Sequence, residues 1–155
     1  MVITSLILAS ESCEDTKAIA TLLDNLPHLK DFGWGLSEAA STGQDHPMVT
    51  LRSRSITWLQ ITFNSRVNQF RLDMPNLTGL SFYSWSFASR GMACSTELFE
   101  SLVTCSPYLS QLSCDLEGFG DFPVNQLIRF ANLTSINLSG SGKIQEPIET
   151  IFPPN

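Results

Sequence analysis

The most regular feature of the sequence is a recurring pattern of three apolar positions. In each copy, two variable residues separate the first apolar residue from the second, and one separates the second from the third. The copies are Ile3/Leu6/Leu8, Leu29/Phe32/Trp34, Ile56/Leu59/Ile61, Leu77/Leu80/Phe82, Leu109/Leu112/Cys114 and Leu133/Ile136/Leu138. Their first positions lie 26, 27, 21, 32 and 24 residues apart, a spacing typical of repeat architectures. Because residues two apart face the same side of a strand, each copy predicts one short strand with a buried face.

A second pattern precedes four of these strands and predicts helices. The junctions are Leu26-Pro27-His28-Leu29, Met74-Pro75-Asn76-Leu77, Ser106-Pro107-Tyr108-Leu109 and Phe130-Ala131-Asn132-Leu133. Proline ends a helix here, because the residue before it is disfavoured in the α region and its own nitrogen cannot donate. Apolar residues at helical spacing come before each junction. They are Ala18, Ile19, Leu22, Leu23 and Leu26; Val67, Phe70 and Met74; Leu98, Phe99, Leu102 and Val103; and Val124, Leu127 and Ile128.

Strand and helix alternating in each unit predict an α/β solenoid. We expect a curved parallel sheet of about six short strands on the concave side and helices on the convex side. No unit can bury its apolar face alone, so the array should fold as a single domain over residues 1–155. Residues 146–155 have the pattern of a further helix and junction. We therefore expect the chain to be a fragment of a longer solenoid.

No catalytic, metal or cofactor motif is complete. Gly140-Ser141-Gly142-Lys143 is similar to the end of a phosphate-binding loop, but Asn137 stands at the first glycine position and Ile144 follows the lysine. Gly118-Phe119-Gly120 begins a dinucleotide-binding pattern that has Pro123 in place of its third glycine. We predict that the chain is not an enzyme and binds no cofactor and no metal.

The cysteines indicate whether the protein lies in a reducing or an oxidising compartment. None of the four has the spacing of a metal ligand: Cys13, Cys94, Cys105 and Cys114. Cys114 takes a strand position that is otherwise apolar, so buried, reduced thiols are expected. A disulfide between Cys105 and Cys114 is the alternative, and it would indicate a secreted protein.

The charge and hydropathy of the chain disfavour some classes of partner. The net charge of -6 disfavours nucleic acid and anionic lipid. No apolar run approaches the ~20 residues of a membrane span, and the apolar start lacks the basic region and cleavage site of a signal peptide. We predict a protein partner, no nucleic acid, no membrane, and a cytoplasmic or nuclear location. Sequons at Asn76, Asn132 and Asn137 would matter only in a secreted protein.

The strand motifs and junctions resemble those of leucine-rich repeat proteins, most closely the irregular type that follows F-box domains in substrate receptors of ubiquitin ligases. The resemblance spans residues 2–155. It implies a protein-binding scaffold, including the substrate-recognition part of such a receptor, with an F-box and further repeats in the parent chain. Of the asparagine or cysteine that family members carry eight residues after the first strand leucine, only Asn64 is present, which implies looser turns. A secreted or cell-surface repeat domain is the alternative.

The resemblance places binding at the variable strand positions, which point away from the buried face. The candidate partner-binding residues are Trp58, Gln60, Ser81, Tyr83, Gln111, Ser113, Asp115 and Asn137. Ser5, Ile7, Asp31 and Gly33 occupy such positions on the first two strands. Trp58, Tyr83 and Trp85 form a predicted aromatic patch, the composition of an interface hot spot. Core packing is the alternative for each of them, above all for Trp85 in the longest unit.

Overall fold

Eight strands and three helical segments make up the described part of the chain. A computed structural model describes residues 2–10, 15–36, 49–63, 70–84, 96–115 and 124–139. The strands are β1 (Ser5–Ser10), β2 (Asp31–Leu36), β3 (Val49–Arg52), β4 (Trp58–Phe63), β5 (Phe70–Asp73), β6 (Gly79–Ser84), β7 (Gln111–Asp115) and β8 (Ser135–Ser139). The helices are α1 (Asp15–Asp24), α2 (Thr96–Cys105) and a short 3-10 helix (Val124–Arg129).

Six strands form one parallel sheet in the order β1-β2-β4-β6-β7-β8. The register aligns equal motif positions across the whole sheet. The second apolar positions are Leu6, Phe32, Leu59, Leu80, Leu112 and Ile136, and the third are Leu8, Trp34, Ile61, Phe82, Cys114 and Leu138. The predicted α/β class and the six short parallel strands, one for each motif, are therefore confirmed.

A second layer covers one face of this sheet. Within it α1 contacts β3, β3 pairs in parallel with β5, and β5 contacts α2. The backbone N–H of Leu72 in β5 donates to Ser101 Oγ of α2 over 3.2 Å. Glu100 of α2 in turn forms an ion pair with Arg129 of the 3-10 helix. The layer is therefore continuous, but it mixes helices and strands.

The helix predicted from Val67, Phe70 and Met74 is wrong over its described part, and Val67 lies outside the described residues. Phe70–Asp73 is instead strand β5. Its unit is the shortest of the five whose length the motifs define, with 21 residues from Ile56 to Leu77. A four-residue strand spans about 13 Å, a distance that would take about nine residues of helix. Strand β3, in the longer 27-residue unit from Leu29 to Ile56, is extended in the same way, and β5 pairs with it in parallel.

The apolar core lies between the two layers. The second and third motif positions of β2, β4, β6 and β7 are at most 4% exposed. Leu51 of β3 and Leu72 of β5 are fully buried and join the same cluster as Leu23 of α1 and Leu102 of α2. Each large apolar side chain that is fully buried stabilises the fold by about 1.5–3 kcal/mol. This packing fixes which strand residues point into the core. The alternate residues of each strand therefore lie on the opposite face of the sheet.

The same β-turn opens each strand that follows a predicted junction. The backbone N–H of the first motif leucine donates to the carbonyl three residues earlier, over 3.1–3.2 Å: Leu29 to Leu26, Leu77 to Met74, Leu109 to Ser106, and Leu133 to Phe130. Proline at the second turn position presets the backbone angle that this turn needs. At the junction before β4, Ser53 Oγ takes over as acceptor and receives the Ile56 N–H over 3.3 Å.

A ladder of hydroxyl groups links the starts of neighbouring strands. The residues directly after the first motif position are Thr4, Lys30, Thr57, Thr78, Ser110 and Thr134, called here the hydroxyl ladder. Each carbonyl from Thr4 to Ser110 accepts two backbone N–H groups of the next unit. Side-chain hydroxyls add a third bond, as from Thr78 Oγ1 to the Thr57 carbonyl over 3.0 Å. The register of the sheet is thus fixed at the point where each strand begins.

Candidate binding surface

The candidate surface is the face of the six-stranded sheet opposite the second layer, called here the outer face. Its residues align in three rows across the strands. The first row is Ser5, Asp31, Trp58, Gly79, Gln111 and Ser135, and the second is Ile7, Gly33, Gln60, Ser81, Ser113 and Asn137. The third row contains Ala9, Gly35, Thr62 and Tyr83, and Asp115 beside Ser139. All eight candidate residues therefore lie on strand positions of this one face.

Four of the candidates are direct neighbours in the second row. Gln60, Ser81, Ser113 and Asn137 lie on the adjacent strands β4, β6, β7 and β8. Gln60 and Asn137 are exposed and Ser113 is half-buried. Ser81 is only 3% exposed. It therefore belongs to the floor of the outer face, and the amides of Gln60 and Asn137 are the groups of this row that a partner can reach.

Trp58 lies over Gly79 of the neighbouring strand. A Cβ added to Gly79 would overlap the six-membered ring of the indole, at Cε3 and Cζ3. Only glycine at this position leaves space for the ring against the sheet. Trp58 is consequently half-buried, with one part of its indole against the sheet.

Tyr83 is separated from Trp58. It is 37% exposed and belongs to the third row. It lies four residues beyond Gly79 on β6, about 13 Å along the strand, with Ser81 between them. Trp58 and Tyr83 thus lie in different rows of the outer face, and the aromatic patch that they would form stays a prediction. The third member of that patch, Trp85, lies outside the described residues, as does the neighbouring Phe87.

Ile7 is an exposed apolar residue that is absent from the candidates, because their apolar members were chosen as aromatic residues. It is 80% exposed, and a Cβ on Gly33 beneath it would come within 3.0 Å of Ile7 Cγ1. Among the variable strand positions it is the one large aliphatic residue. That contrast with its polar neighbours is visible in the sequence. The apolar contact area of the outer face therefore extends to β1.

The outer face carries little charge. Asp31 and Asp115 are the charged residues at its strand positions, and the sequence places no lysine or arginine there. Two arginines of the second layer are paired, Arg52 with Asp73 at 3.3 Å and Arg129 with Glu100. The hydrogen bond from Arg129 lowers the pKa of the Glu100 carboxyl. The strand positions of the outer face thus carry acidic, hydroxyl and amide groups.

A cleft of about 690 Å³ is lined by residues that do not belong to the strand rows of the outer face. Its lining includes the basic side chains Lys30, Arg52 and Arg54 and the acidic side chains Asp24 and Asp73. Opposite charges nearly cancel there. Among the described residues, no group of three or more histidine, cysteine, aspartate or glutamate side chains is arranged to hold a metal ion. No helix in this part of the chain is long and apolar enough to cross a bilayer.

Two of the sequon asparagines make hydrogen bonds between units. Asn76 Nδ2 donates to the Arg54 carbonyl over 2.6 Å, and Asn132 Nδ2 donates to the Pro107 carbonyl over 2.7 Å. An N-linked glycan would be attached to the same nitrogen. Asn137, the third, is exposed in the second row of the outer face, on the edge strand β8.

Two of the four cysteines lie among the described residues. Cys105 is half-buried at the end of α2, and Cys114 is buried in β7. They are not joined to each other. Cys13 and Cys94 lie outside the described residues.

No family model, curated protein or solved structure matches this chain. Its function therefore has to be inferred from its own residues.

Proposed function

We propose that the chain is a leucine-rich repeat solenoid that binds a protein partner through the outer face of its sheet. The carrying observation is Trp58, a half-exposed indole that Gly79 holds against the sheet. Tryptophan is enriched among the residues that dominate interface energies, because it supplies a large contact area with few rotatable bonds. The aligned rows around it supply hydrogen-bonding groups. The outer face would be the concave side of the solenoid.

The charge of the outer face suggests the chemistry of the partner. Asp31 and Asp115 are its charged strand residues, so an acidic partner would meet like charge. A neutral or basic segment avoids that repulsion. We propose that its apolar side chains contact Trp58, Tyr83 and Ile7 while its polar groups bond to Gln60 and Asn137.

Substrate recognition within an F-box type ubiquitin ligase receptor is the specific form of this proposal. Such a module recognises other proteins and performs no chemistry itself. The bonds of Asn76 and Asn132 between units support a cytoplasmic or nuclear location, because glycans at these nitrogens would disturb them. A secreted or cell-surface recognition domain is the alternative, and glycans at these two asparagines would favour it.

Site-specific photo-cross-linking in cells tests the proposed surface. A photoreactive phenylalanine analogue would replace Gln60, an exposed residue in the second row. The same analogue at Thr104, on the exposed side of α2, is the matched control. We expect Gln60, and not Thr104, to yield a discrete cross-linked protein, and Trp58→Ala in the same chain to abolish that product. Equal products at both positions, or products at Thr104 alone, would contradict the proposal.

A further inference from the structure

The cleft of about 690 Å³ is lined by three consecutive junction turns. Its lining includes the second residue of each of these turns, Pro27, Arg54 and Pro75. Proline has no backbone N–H to donate, so the two outer turns have no donor at this position. Among the described residues, no group accepts the backbone N–H of Arg54. The cleft therefore offers a backbone donor in its middle turn that the turns on either side lack.

Neighbouring side chains fix the position of Arg54 in this turn. Ser53 Oγ accepts the backbone N–H groups of Ser55 and Ile56, both over 3.3 Å. Asn76 Nδ2 donates to the Arg54 carbonyl over 2.6 Å. The peptide unit between Arg54 and Ser55 is thus bonded through both its carbonyl and its N–H. Arg54 is therefore held at the cleft by the fold of the turn itself.

Two positive side chains of the lining lack a partner of opposite charge. Arg52 is paired with Asp73 at 3.3 Å. Lys30 and Arg54 form no ion pair within the described part of the chain. Asp24 is the other acidic side chain of the lining. With the ion pair set aside, the cleft has two cationic groups and one carboxylate, so it favours an anionic ligand group.

A phosphate monoester matches these donors in charge and in its number of acceptor atoms. Its charge of about −1.5 to −2 at neutral pH balances the two cationic groups, and its three free oxygens accept several hydrogen bonds. The guanidinium of arginine can bind two phosphate oxygens at once. A carboxylate has less charge and fewer oxygens. The volume of the cleft also lies within the range of small-molecule sites, about 300–1,000 Å³.

We propose that this cleft binds a small soluble phosphate monoester, with the phosphate held by Lys30 and by the guanidinium and backbone N–H of Arg54. The Asp24 carboxylate repels a bare phosphate, so a ligand that also carries an ammonium group fits the lining better. The net charge of -6 opposes approach to an anionic bilayer, which favours a soluble ligand over a lipid headgroup. The site is independent of the outer face, whose strand rows do not contribute to the lining.

An NMR titration of the isotope-labelled chain with phosphoethanolamine tests the site, because the amide signal of Arg54 reports on the proposed backbone donor. We expect this signal to move downfield and to saturate. Ethanolamine, which keeps the ammonium group and lacks the phosphate, should leave it in place. A signal that does not move with phosphoethanolamine, or that moves equally with ethanolamine, would overturn the proposal.

Variants of Arg54 separate its two donors, and calorimetry measures their affinities for phosphoethanolamine. Arg54→Gln keeps the backbone N–H and removes the guanidinium, so it should weaken binding about tenfold or more, the usual loss for a charged hydrogen bond. Arg54→Pro gives the turn the residue of its neighbours and removes both donors, so it should abolish binding. Thermal melts verify that each variant folds.

Arg71→Gln is the matched control. It changes the net charge by the same amount, and exposed Arg71 does not line the cleft, so it should bind phosphoethanolamine like the wild type. Equal weakening by Arg54→Gln and Arg71→Gln would indicate attraction by net charge and overturn the site. Unchanged binding in Arg54→Gln, or binding retained in a folded Arg54→Pro chain, would overturn it as well.

Vesicles of phosphatidic acid and phosphatidylcholine distinguish a lipid headgroup from a soluble ligand. We expect the chain to stay in the supernatant when these vesicles are sedimented. Co-sedimentation that Arg54→Gln abolishes and Arg71→Gln leaves intact would assign the cleft to a lipid headgroup and overturn the proposal of a soluble ligand.

Discussion

The indole of Trp58 on β4 lies over Gly79 on β6, where the two central strands of the outer face begin. The two residues are directly opposite each other in the parallel ladder. Every larger residue at position 79 would have to displace the ring. This pair connects the packing of the outer face to its proposed binding role, and it can be tested from either side.

Gly79→Ala should force the Trp58 ring off the sheet and lower the free energy of unfolding by about 1–3 kcal/mol, the usual cost of overpacking. Gly35→Ala is the matched control, because a Cβ there meets the Leu8 carbonyl oxygen at an ordinary 3.7 Å. Urea unfolding of both variants checks the difference. Equal stabilities for the two variants would contradict the close approach of Trp58 to Gly79.

Trp58→Ala and Tyr83→Ala should each weaken partner binding by about 2 kcal/mol or more, since aromatic anchors dominate such interfaces. Because the two aromatic groups lie well apart on the face, their effects should be nearly additive in the double variant. Trp58→Ala should also lower the melting temperature, whereas Lys17→Ala in α1 should change neither property. Calorimetry and thermal melts on the same proteins provide both readouts. Full affinity in both aromatic variants would place the binding surface elsewhere.

Thr78→Val removes a hydroxyl of the ladder while keeping the shape of the side chain. Thr78 Oγ1 donates over 3.0 Å to the Thr57 carbonyl, whereas Thr57 Oγ1 reaches the Lys30 carbonyl over a longer 3.4 Å. Thr78→Val should therefore lower the free energy of unfolding by about 0.5–1.5 kcal/mol, and Thr57→Val by less. Chemical denaturation of the two variants measures both values. The reverse order would show that the hydroxyl bonds do not contribute to stability.

The ion pair between Glu100 and Arg129 should make a small, pH-dependent contribution to stability. Arg129 Nη2 donates to Glu100 Oε2 over 2.8 Å, and the hydrogen bonding lowers the pKa of the carboxyl from 4.5. The folded state therefore binds the proton less readily than the unfolded state does. The contribution is present above the unfolded pKa and is lost as the pH falls through the lower folded pKa. Thermal melts of the wild type and Glu100→Gln should differ at neutral pH and converge in acid, and Arg129→Gln should behave like Glu100→Gln.

All four cysteines should react with a thiol reagent after unfolding without reductant. Cys114 is buried in β7, so it should react slowly while the chain is folded, and half-buried Cys105 should react faster. Mass spectrometry after timed labelling measures both rates. A peptide linked through Cys105 and Cys114 in a non-reduced digest would contradict this expectation and favour the secreted alternative.

The strands and their turns could be predicted from the sequence because each motif contains its own local information. Leu77, Leu80 and Phe82 mark one buried face, and the preceding Pro75 marks the turn. The second layer is less predictable, since Phe70 and Leu72 fit a short strand as well as a short helix. Which one forms depends on pairing with β3 and packing against α2, neither of which the local pattern contains.

The arrangement of residues on the outer face could be derived only from the register of the sheet and not from the sequence alone. That Gly79 leaves space for the Trp58 ring can be recognised only once the two residues are known to be opposite each other, because they are 21 positions apart in the chain. The hydroxyl ladder was missed for a similar reason. It contributes a single residue to each unit, and Lys30 interrupts it.

The uneven length of the units has little consequence for chain entropy. Closing a flexible loop costs free energy only in proportion to the logarithm of its length. The step of 32 residues from Leu77 to Leu109 therefore costs only about 0.4 kcal/mol more than the step of 21 residues from Ile56 to Leu77. With β4, β6 and β7 aligned by their first residues, insertions and deletions between strands leave the sheet intact. Such a chain can vary in length from unit to unit during evolution while its outer face keeps the same spacing.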